Sequence, residues 1–206
     1  MSAVFSLQYF GNIYYYVKLI EQQNILIETH EYYVKQSYRN RTYIMTANGI
    51  LPLIIPVIHQ SAKEPMYAKK IFYKEKWHKK HYTAIVSAYK NTPYFEHYCD
   101  EILNCFKIEQ FEYLIEFNSY LLKQILKCIK AEMVLDYTLS YTDNYQCDYR
   151  NFFNPPYSNN LPDYLLTPYY QAFSDRFTFM PNLSIIDLLF NTGKDTLQYL
   201  QLKKIY

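Results

Sequence analysis

Residues 3–28 read AVFSLQYFGNIYYYVKLIEQQNILIE, and this stretch decides the fold of the amino-terminal part of the chain. Ala3–Leu7 is a short apolar run typical of a buried strand, and Ile25–Glu28 is a second one. After the loop Gln8–Asn12, the segment Ile13–Gln22 repeats its apolar side chains at helical spacing. A strand, a helix and a strand within so few residues predict a compact βαβ unit with two parallel strands and a right-handed crossover.

The stretch Thr29–Tyr43 follows the second predicted strand and carries an unusual density of polar groups. Its ionisable side chains are His30, Glu31, Lys35, Arg39 and Arg41, and further hydrogen-bonding groups come from Gln36, Ser37 and Asn40. Both this stretch and the Gln8–Asn12 loop come after the carboxyl end of a predicted parallel strand, so they should open on one edge of the sheet. Ligands of α/β folds collect at that edge. We therefore expect the functional site here, with Gln8 as one of its binding residues.

The remainder of the chain predicts a hairpin and then a layer of helices. Asn48-Gly49 is a preferred type I′ turn between the apolar runs Thr42–Ala47 and Ile50–Ile58. Helical periodicity follows in Trp77–Lys90, Tyr94–Leu103 and Phe111–Ala131, and Val134–Tyr137 is a candidate for a return to the sheet. Asp143–Leu166 is irregular by composition and is either a mobile lid or irregular packed structure.

These elements define an α/β fold with a small mixed β-sheet, an N-terminal βαβ unit, a β-hairpin and a helical layer. We expect a single domain over residues 1–206. Its sheet-rich part covers 1–75, its helical layer covers 76–131, and an irregular segment with C-terminal helices covers 132–206. A chain of 206 residues is long enough to bury a core without metal or disulfide support.

Composition narrows the classes of function. The net charge of +2 does not favour nucleic-acid binding as the main activity. Three glycines leave no room for a dinucleotide-binding fingerprint or a P-loop, so no cofactor is expected. The four cysteines form no C-x-x-C pair, no signal peptide is recognised, and the apolar runs are too short to span a membrane. These observations lead us to expect a cytoplasmic protein with reduced thiols and no membrane insertion.

Three groups of residues are candidates for chemistry. Arg39, Asn40 and Arg41, together with Lys35, could hold a phosphate or carboxylate group, because guanidinium groups form paired, charge-assisted hydrogen bonds. The alternative is that the arginines pair with acidic neighbours inside the fold. His30 with Glu31 could act as an acid and base pair after the strand end, and its alternative is a solvated turn.

His81 is a further candidate for a general base on the first long helix, although packing on a helix face is the commoner role of such a histidine. It lies three residues after His78, but no third ligand is linked to this pair by spacing, so we expect no metal site. Asp187 and Asn191 lie one turn apart in an apolar C-terminal helix and could face the same cleft. We expect Asp187 to be buried and bonded to an arginine, most simply Arg39 or Arg41.

The order of motifs along the chain resembles the WbqC-like protein family. The motifs are Gln8-Tyr-Phe10, Lys35-Gln-Ser-Tyr-Arg-Asn-Arg41, Leu53-Ile-Ile-Pro-Val57, Trp77-His-Lys-Lys-His81, Pro93-Tyr-Phe95, Tyr169-Tyr-Gln171 and the run from Phe179 to Gly193. The segment Asp143–Leu166 falls outside the resemblance. Many members have Gln-Pro where this chain has Gln8-Tyr9, so the resemblance does not define the turn after the first strand.

The resemblance implies a bacterial protein of surface-polysaccharide or O-antigen biosynthesis. It implies transfer of an acyl or aminoacyl group, such as glycyl, to an amino sugar or a related small-molecule precursor, which includes nucleotide sugars. The resemblance supplies no catalytic residues. A non-catalytic protein that binds a nucleotide sugar or another anion, and a protein–protein adaptor, are the alternatives.

Overall fold

A computed structural model describes residues 3–59, 61, 63–107, 111–155 and 161–202. Its strands are β1 (Ala3–Ser6), β2 (Asn24–Glu28), β3 (Arg41–Thr46), β4 (Gly49–Ile54) and β5 (Val134–Tyr137). Its α-helices are α1 (Ile13–Ile20), α2 (Trp77–Tyr89), α3 (Phe95–Leu103), α4 (Leu114–Cys128), α5 (Ile185–Thr192) and α6 (Thr196–Leu202). The predicted α/β class, βαβ unit, hairpin and helices are confirmed, with most element ends within three residues of those expected.

The βαβ unit forms a parallel sheet. Strand β1 pairs with β2 in parallel, and β5 adds itself to the other side of β2, so the order is β1-β2-β5. The register places Ser6 beside Glu28 at the carboxyl end of the first two strands. Asn12 begins the crossover helix α1, because its side-chain oxygen accepts a hydrogen bond of 2.8 Å from the amide of Tyr15. All three strands therefore end at one edge of the sheet.

The hairpin of β3 and β4 forms a separate, antiparallel two-stranded sheet. Its turn residues are Ala47 and Asn48, and Gly49 begins β4 at a φ of 98°, a conformation that glycine adopts at little cost. Asn48 has no positive φ, so the hairpin is confirmed but the type I′ turn at Asn48-Gly49 is wrong. Beyond the hairpin, Val57 and Ile71 form an isolated antiparallel bridge. The strands of the fold are thus divided between a parallel and an antiparallel sheet.

The irregular segment after β5 runs along the free edge of β1. The amide of Val4 donates to the carbonyl of Cys147 at 3.0 Å, and the amide of Tyr149 donates to the carbonyl of Val4 at 2.9 Å. The Phe5 and Tyr149 rings stack with centroids 4.7 Å apart. These contacts carry Arg150 to the carboxyl edge of the sheet, so this part of the segment is packed structure.

Helix α5 is buried in the core, and its end is fixed by glycine. Gly193 follows it as the C-cap residue with a φ of 56°, a backbone conformation that favours glycine. Ser184 is the N-cap residue, but its side chain forms no capping hydrogen bond. Asn182 receives a hydrogen bond of 2.8 Å from the amide of Tyr14 on α1. The apolar face of α5 thereby closes the core beneath α1 and α3.

Candidate functional site

Polar side chains gather where the three parallel strands end. Ser6 closes β1, Glu28 closes β2, and Thr138 directly follows β5. Glu28 is fully buried, and Thr138 donates a hydrogen bond of 2.8 Å to its Oε1 atom. Buried carboxylates need such donors, because an isolated charge is costly inside a protein. The edge of the sheet is therefore a polar site in which the buried carboxylate of Glu28 has its hydrogen-bond donor.

Arg39 forms the first of two buried ion pairs at this edge. Its Nε atom donates to Oε1 of Glu31 at 2.9 Å, and its Nη2 atom donates to Oε2 at 2.6 Å. Nη2 also donates to Oγ of Ser6 at 2.9 Å. The pair fixes the segment after β2 against the end of β1.

Arg150 forms the second ion pair and bridges two carboxylates. Its Nη2 atom lies 2.6 Å from Oδ2 of Asp148, and its Nη1 atom lies 3.2 Å from Oε2 of Glu28. The guanidinium also lies over the rings of Tyr141 and Tyr145, at 4.9 and 5.2 Å from their centroids. Hydrogen bonds from Arg150 lower the pKa of Asp148, and the same contacts raise the pKa of Arg150. Both groups are held in their charged forms.

A chain of hydrogen bonds orients the His30 ring. Thr138 donates its hydroxyl proton to Glu28, and the Thr29 hydroxyl oxygen lies 3.1 Å from the Thr138 carbonyl oxygen and 2.9 Å from Nδ1 of His30. The single Thr29 proton goes to one of these two acceptors. When it goes to the carbonyl, the Thr29 oxygen accepts from Nδ1, so neutral His30 carries its proton on Nδ1 and keeps the lone pair of Nε2. This is the tautomer of a base that is oriented from behind by hydroxyl groups.

A cavity of about 280 Å³ opens beside these groups. Its described lining consists of His30, Glu31, Tyr32, Val34, Tyr141, Arg150 and Asn151. Tyr32 and Tyr141 are 57% and 50% exposed, so their rings form an accessible rim. The cavity is thus lined by a histidine, by one member of each ion pair (Glu31 and Arg150) and by aromatic faces.

The charges around the cavity have a negative surplus. The carboxylates of Glu28, Glu31 and Asp148 face the guanidiniums of Arg39 and Arg150. When all five groups are ionised, one negative charge is not compensated within this set. A ligand with an ammonium group is favoured by such a field more than an additional anion.

The structure does not bring the predicted anion-binding residues together at the cavity. Arg39 is 3% exposed and already paired with Glu31. This is the alternative given above, in which the arginines pair with acidic neighbours inside the fold. Asn40 is also buried and donates to the carbonyl of Ile55 at 2.9 Å. Among the described residues, the cavity wall contains neither Lys35, which is exposed, nor Arg41, which is partly exposed.

Gln8 and His81 are also outside the described wall of the cavity. Gln8 is 7% exposed and follows the end of β1 in the loop. His81 is 6% exposed, packs on Trp77, and shares a hydrogen bond of 2.9 Å with the hydroxyl of Tyr9. Burial lowers the pKa of His81 to about 3. Because the His81 ring stays neutral and is buried, His81 has the role of a packed residue on a helix face and not that of a general base at this cavity.

Asp187 is buried as predicted, but the expected arginine partner is wrong. The carboxylate accepts hydrogen bonds from the hydroxyls of Tyr89 and Tyr169, at 2.8 and 2.5 Å, and from Nε2 of Gln171 at 3.2 Å. Asn191 donates to the Asp187 backbone carbonyl at 2.7 Å. Asp187 is 1% exposed, and burial raises its pKa. The hydrogen bonds of the Asp187 carboxylate anchor α5 to α2 through Tyr89 and to the segment that contains Tyr169 and Gln171, and none of these partners belongs to the arginine stretch.

Several residues of the site were not found from the sequence. They are Ser6, Glu28, Thr29, Thr138, Tyr141, Asp148, Arg150 and Asn151. The signal that could have found Asp148 and Arg150 is the acidic–aromatic–basic run Asp148-Tyr-Arg150. Its place beside β1 follows only from the three-dimensional fold.

The WbqC-like protein family model matches residues 8–154, which is well over half of the chain. The chain belongs to the WbqC-like protein family. The match includes Arg150 and the first part of Asp143–Leu166, which the motif comparison had placed outside the resemblance, and it ends before the Tyr169 and Phe179 motifs. The comparisons with curated proteins and with solved structures give no match.

Two features are absent from the described part of the chain. None of its helices has the length and apolar character needed to cross a lipid bilayer. Within the same ranges, no group of three or more His, Cys, Asp or Glu side chains is arranged to hold a metal ion.

Proposed function

We propose that this protein is a group transferase that moves an acyl or aminoacyl group onto the amine of an amino sugar or a related polysaccharide precursor. The observation that carries this proposal is the orientation of His30. Its Nδ1 atom lies 2.9 Å from the Thr29 hydroxyl, and in the proposed tautomer Nδ1 donates to that oxygen, which leaves the lone pair of Nε2 free on a side chain that lines the cavity. Histidine is the usual proton carrier near neutral pH.

His30 acts as general base in the proposed step. The acceptor nitrogen attacks the carbonyl carbon of an activated ester or thioester, and a carbon–nitrogen bond forms. Nε2 of His30 takes the proton from that nitrogen, and the bond from the carbonyl carbon to the leaving oxygen or sulfur breaks. The leaving group then receives the proton from His30. No oxidant or reductant is needed, and the enzyme returns to its starting state.

The surrounding charges support an amine-bearing ligand. Glu31 lies in the cavity wall, and the five ionised groups at the sheet edge have a surplus of one negative charge. An acceptor that arrives as an ammonium ion is attracted by this field and then loses one proton to solvent before attack, so His30 is still neutral when it takes the second proton. The exposed rings of Tyr32 and Tyr141 offer flat apolar faces to a sugar ring.

The direct test begins with ligands. Mass spectrometry of the natively purified protein identifies what the cavity retains, and the identified acceptor is incubated with a panel of acyl and aminoacyl thioesters and esters. We expect an N-acylated product from the wild type and a rate lower by about 10²–10⁴-fold for His30→Gln, the usual contribution of general base catalysis. Calorimetry should show that the variant still binds the acceptor.

His97→Gln is the matched control, because His97 is an exposed histidine on α3. Its activity should equal that of the wild type. A wild type that binds amino sugars but acylates none of them would replace the transferase with a binding protein. Equal rates for His30→Gln and the wild type would remove His30 from the mechanism.

A further inference from the structure

A second cluster of charged side chains surrounds Tyr33 and His59, and neither residue belongs to the described wall of the cavity. Its centre is Lys69, which is 1% exposed. The Lys69 Nζ atom lies 2.6 Å from Oε2 of Glu64, 3.3 Å from Nδ1 of His59 and 4.8 Å from the centroid of the Tyr33 ring. The Tyr33 and His59 rings are 6.3 Å apart.

The contact with Lys69 determines which nitrogen of His59 faces outward as a donor. An ammonium group has protons to give and no lone pair, so Nδ1 of His59 accepts the hydrogen bond from Nζ. The proton of the neutral ring is therefore on Nε2. His59 is exposed, so this N–H group can donate to a ligand at the surface.

Two more cations act on the same rings. Partial desolvation and the positive charges of Lys69 and Lys35 lower the pKa of His59. Burial raises the pKa of Tyr33 to about 12 against the opposing charge of Arg41, so the phenol keeps its proton. Lys35 follows Tyr33 by two residues, and Arg41 pairs with Ile54 at the end of β4, shortly before His59 in the chain. Lys35 and Arg41 thus belong to the same electrostatic neighbourhood as Lys69.

The cluster has a positive surplus, which is the reverse of the cavity. Lys35, Arg41 and Lys69 oppose the single carboxylate of Glu64, and Arg39 nearby is already neutralised by Glu31. The Arg41 Nε atom is buried without a hydrogen-bond partner in the described part of the chain. Lys69 acts as a buried fixed charge, while Lys35 and His59 present donors to solvent.

We propose that Lys35, Arg41 and His59, supported by Lys69, form a binding site for a phosphate group. Phosphate suits this set because it accepts several charge-assisted hydrogen bonds and compensates more than one positive charge. The proposal is independent of the transferase reaction, since it concerns other side chains and needs no chemical step. The phosphate can belong to a free phosphate ion or to a nucleoside diphosphate.

Nitrogen-detected NMR of the histidine rings tests the site in the intact protein. Titration with pyrophosphate should give saturable shifts of the His59 ring, and a bound anion should raise the pKa of His59. Lys35→Gln should weaken binding about tenfold, which corresponds to about 1.4 kcal/mol. Lys79→Gln removes an exposed lysine of α2 and should bind like the wild type.

A parallel titration with a nucleoside diphosphate identifies the source of the phosphate. Tighter binding than that of pyrophosphate supports the site and indicates a nucleotide, and equal binding supports the site for phosphate alone. Absence of saturation at His59, or equal affinity of Lys35→Gln and the wild type, would overturn the proposal. His30→Gln should leave these shifts unchanged, so failure of this site and failure of the transferase are distinguishable.

Discussion

Glu31 and Arg39 form a bidentate ion pair in which both side chains are almost fully buried. Nε and Nη2 of Arg39 donate to the two carboxylate oxygens at 2.9 and 2.6 Å, and the residues are 5% and 3% exposed. The pair closes the segment between β2 and β3 on itself. It also connects that segment to β1 through the Ser6 hydroxyl.

Glu31→Ala should destabilise the protein by about 3–5 kcal/mol, because it leaves the buried Arg39 charge without its partner. Urea unfolding measures the loss. The matched control is Glu112→Ala, whose carboxylate is 60% exposed and pairs with Lys70 at the surface, and its midpoint should hardly change. Adding Arg39→Met to Glu31→Ala should recover part of the stability. Similar midpoints for Glu31→Ala and Glu112→Ala would contradict the buried pair.

His81 should make the protein less stable in mild acid. Its pKa is lowered from 6.5 to about 3 by burial, so the unfolded chain binds a proton between these values while the folded chain does not. The free energy of unfolding therefore falls as the pH decreases through this window. Thermal unfolding of His81→Gln should show a flatter decline from pH 6.5 to 4 than the wild type. His97→Gln is the control, and an equal slope for all three proteins would refute the buried, neutral state of His81.

Asp187 should have the opposite effect on the pH dependence of stability: it should make the protein less stable as the pH rises above 3.8. Burial raises its pKa above 3.8, and the hydrogen bonds from Tyr169, Tyr89 and Gln171 reverse only part of this shift. The folded state then binds a proton that the unfolded state has lost, so stability decreases as the pH rises from 3.8 to the raised value. Asp187→Asn removes this proton. The melting temperature of the variant minus that of the wild type should increase with pH above 3.8, and a constant difference would contradict the raised pKa.

Gly193 and Gly49 are a matched pair of left-handed glycines, with φ values of 56° and 98°. A Cβ atom at Gly193 would overlap the Tyr94 ring, whereas at Gly49 nothing lies within 4 Å. Gly49→Ala should therefore cost about 1–2 kcal/mol from backbone strain alone. Gly193→Ala should cost clearly more, because Tyr94 must also move. Urea unfolding of both variants measures the difference, and equal losses would show that the ring yields freely.

The fold was predictable because its signals are local. The apolar runs of β1 and β2, the helical spacing of α1 and the Asn-Gly pair within the hairpin each indicate an element from a few consecutive residues, although the turn itself lies one residue earlier, at Ala47 and Asn48. The third strand was more difficult to place, since β5 joins β2 across more than a hundred residues of intervening chain. Its short apolar run indicated a strand without indicating a partner.

The site was predictable in part. The stretch after β2 indeed supplies His30 and Glu31 to the cavity wall, because polar groups after a buried strand have to open at the sheet edge. Arg150 comes from 122 positions beyond its partner Glu28, and no local pattern expresses such a pairing. For Asp187, the apolar helix shows that the carboxylate needs donors but does not say which. In a chain with 26 tyrosines, phenol hydroxyls took the role expected of arginine.

Thr29→Val should change the protonation pattern of His30 without removing the histidine. The Thr29 hydroxyl lies 2.9 Å from Nδ1 of His30 and is its shorter contact, since the Thr138 hydroxyl is 3.4 Å away. Without the Thr29 oxygen, the Nδ1–H group loses its main acceptor, so part of the population should carry the proton on Nε2 instead. Valine has nearly the same shape, and the lost hydrogen bonds should cost about 1–3 kcal/mol.

Long-range proton–nitrogen NMR correlations distinguish the two neutral tautomers of His30 in the wild type and the variant. Thr42→Val is the control: Thr42 is fully buried, and its hydroxyl oxygen has no partner among the described residues, so its removal should leave stability unchanged or increased and His30 unaffected. The same Nε2–H signal in the wild type and in Thr29→Val would show that the hydroxyl chain does not orient His30. A wild type with the proton on Nδ1 and a mixed population in Thr29→Val would establish that Thr29 sets the free lone pair of His30.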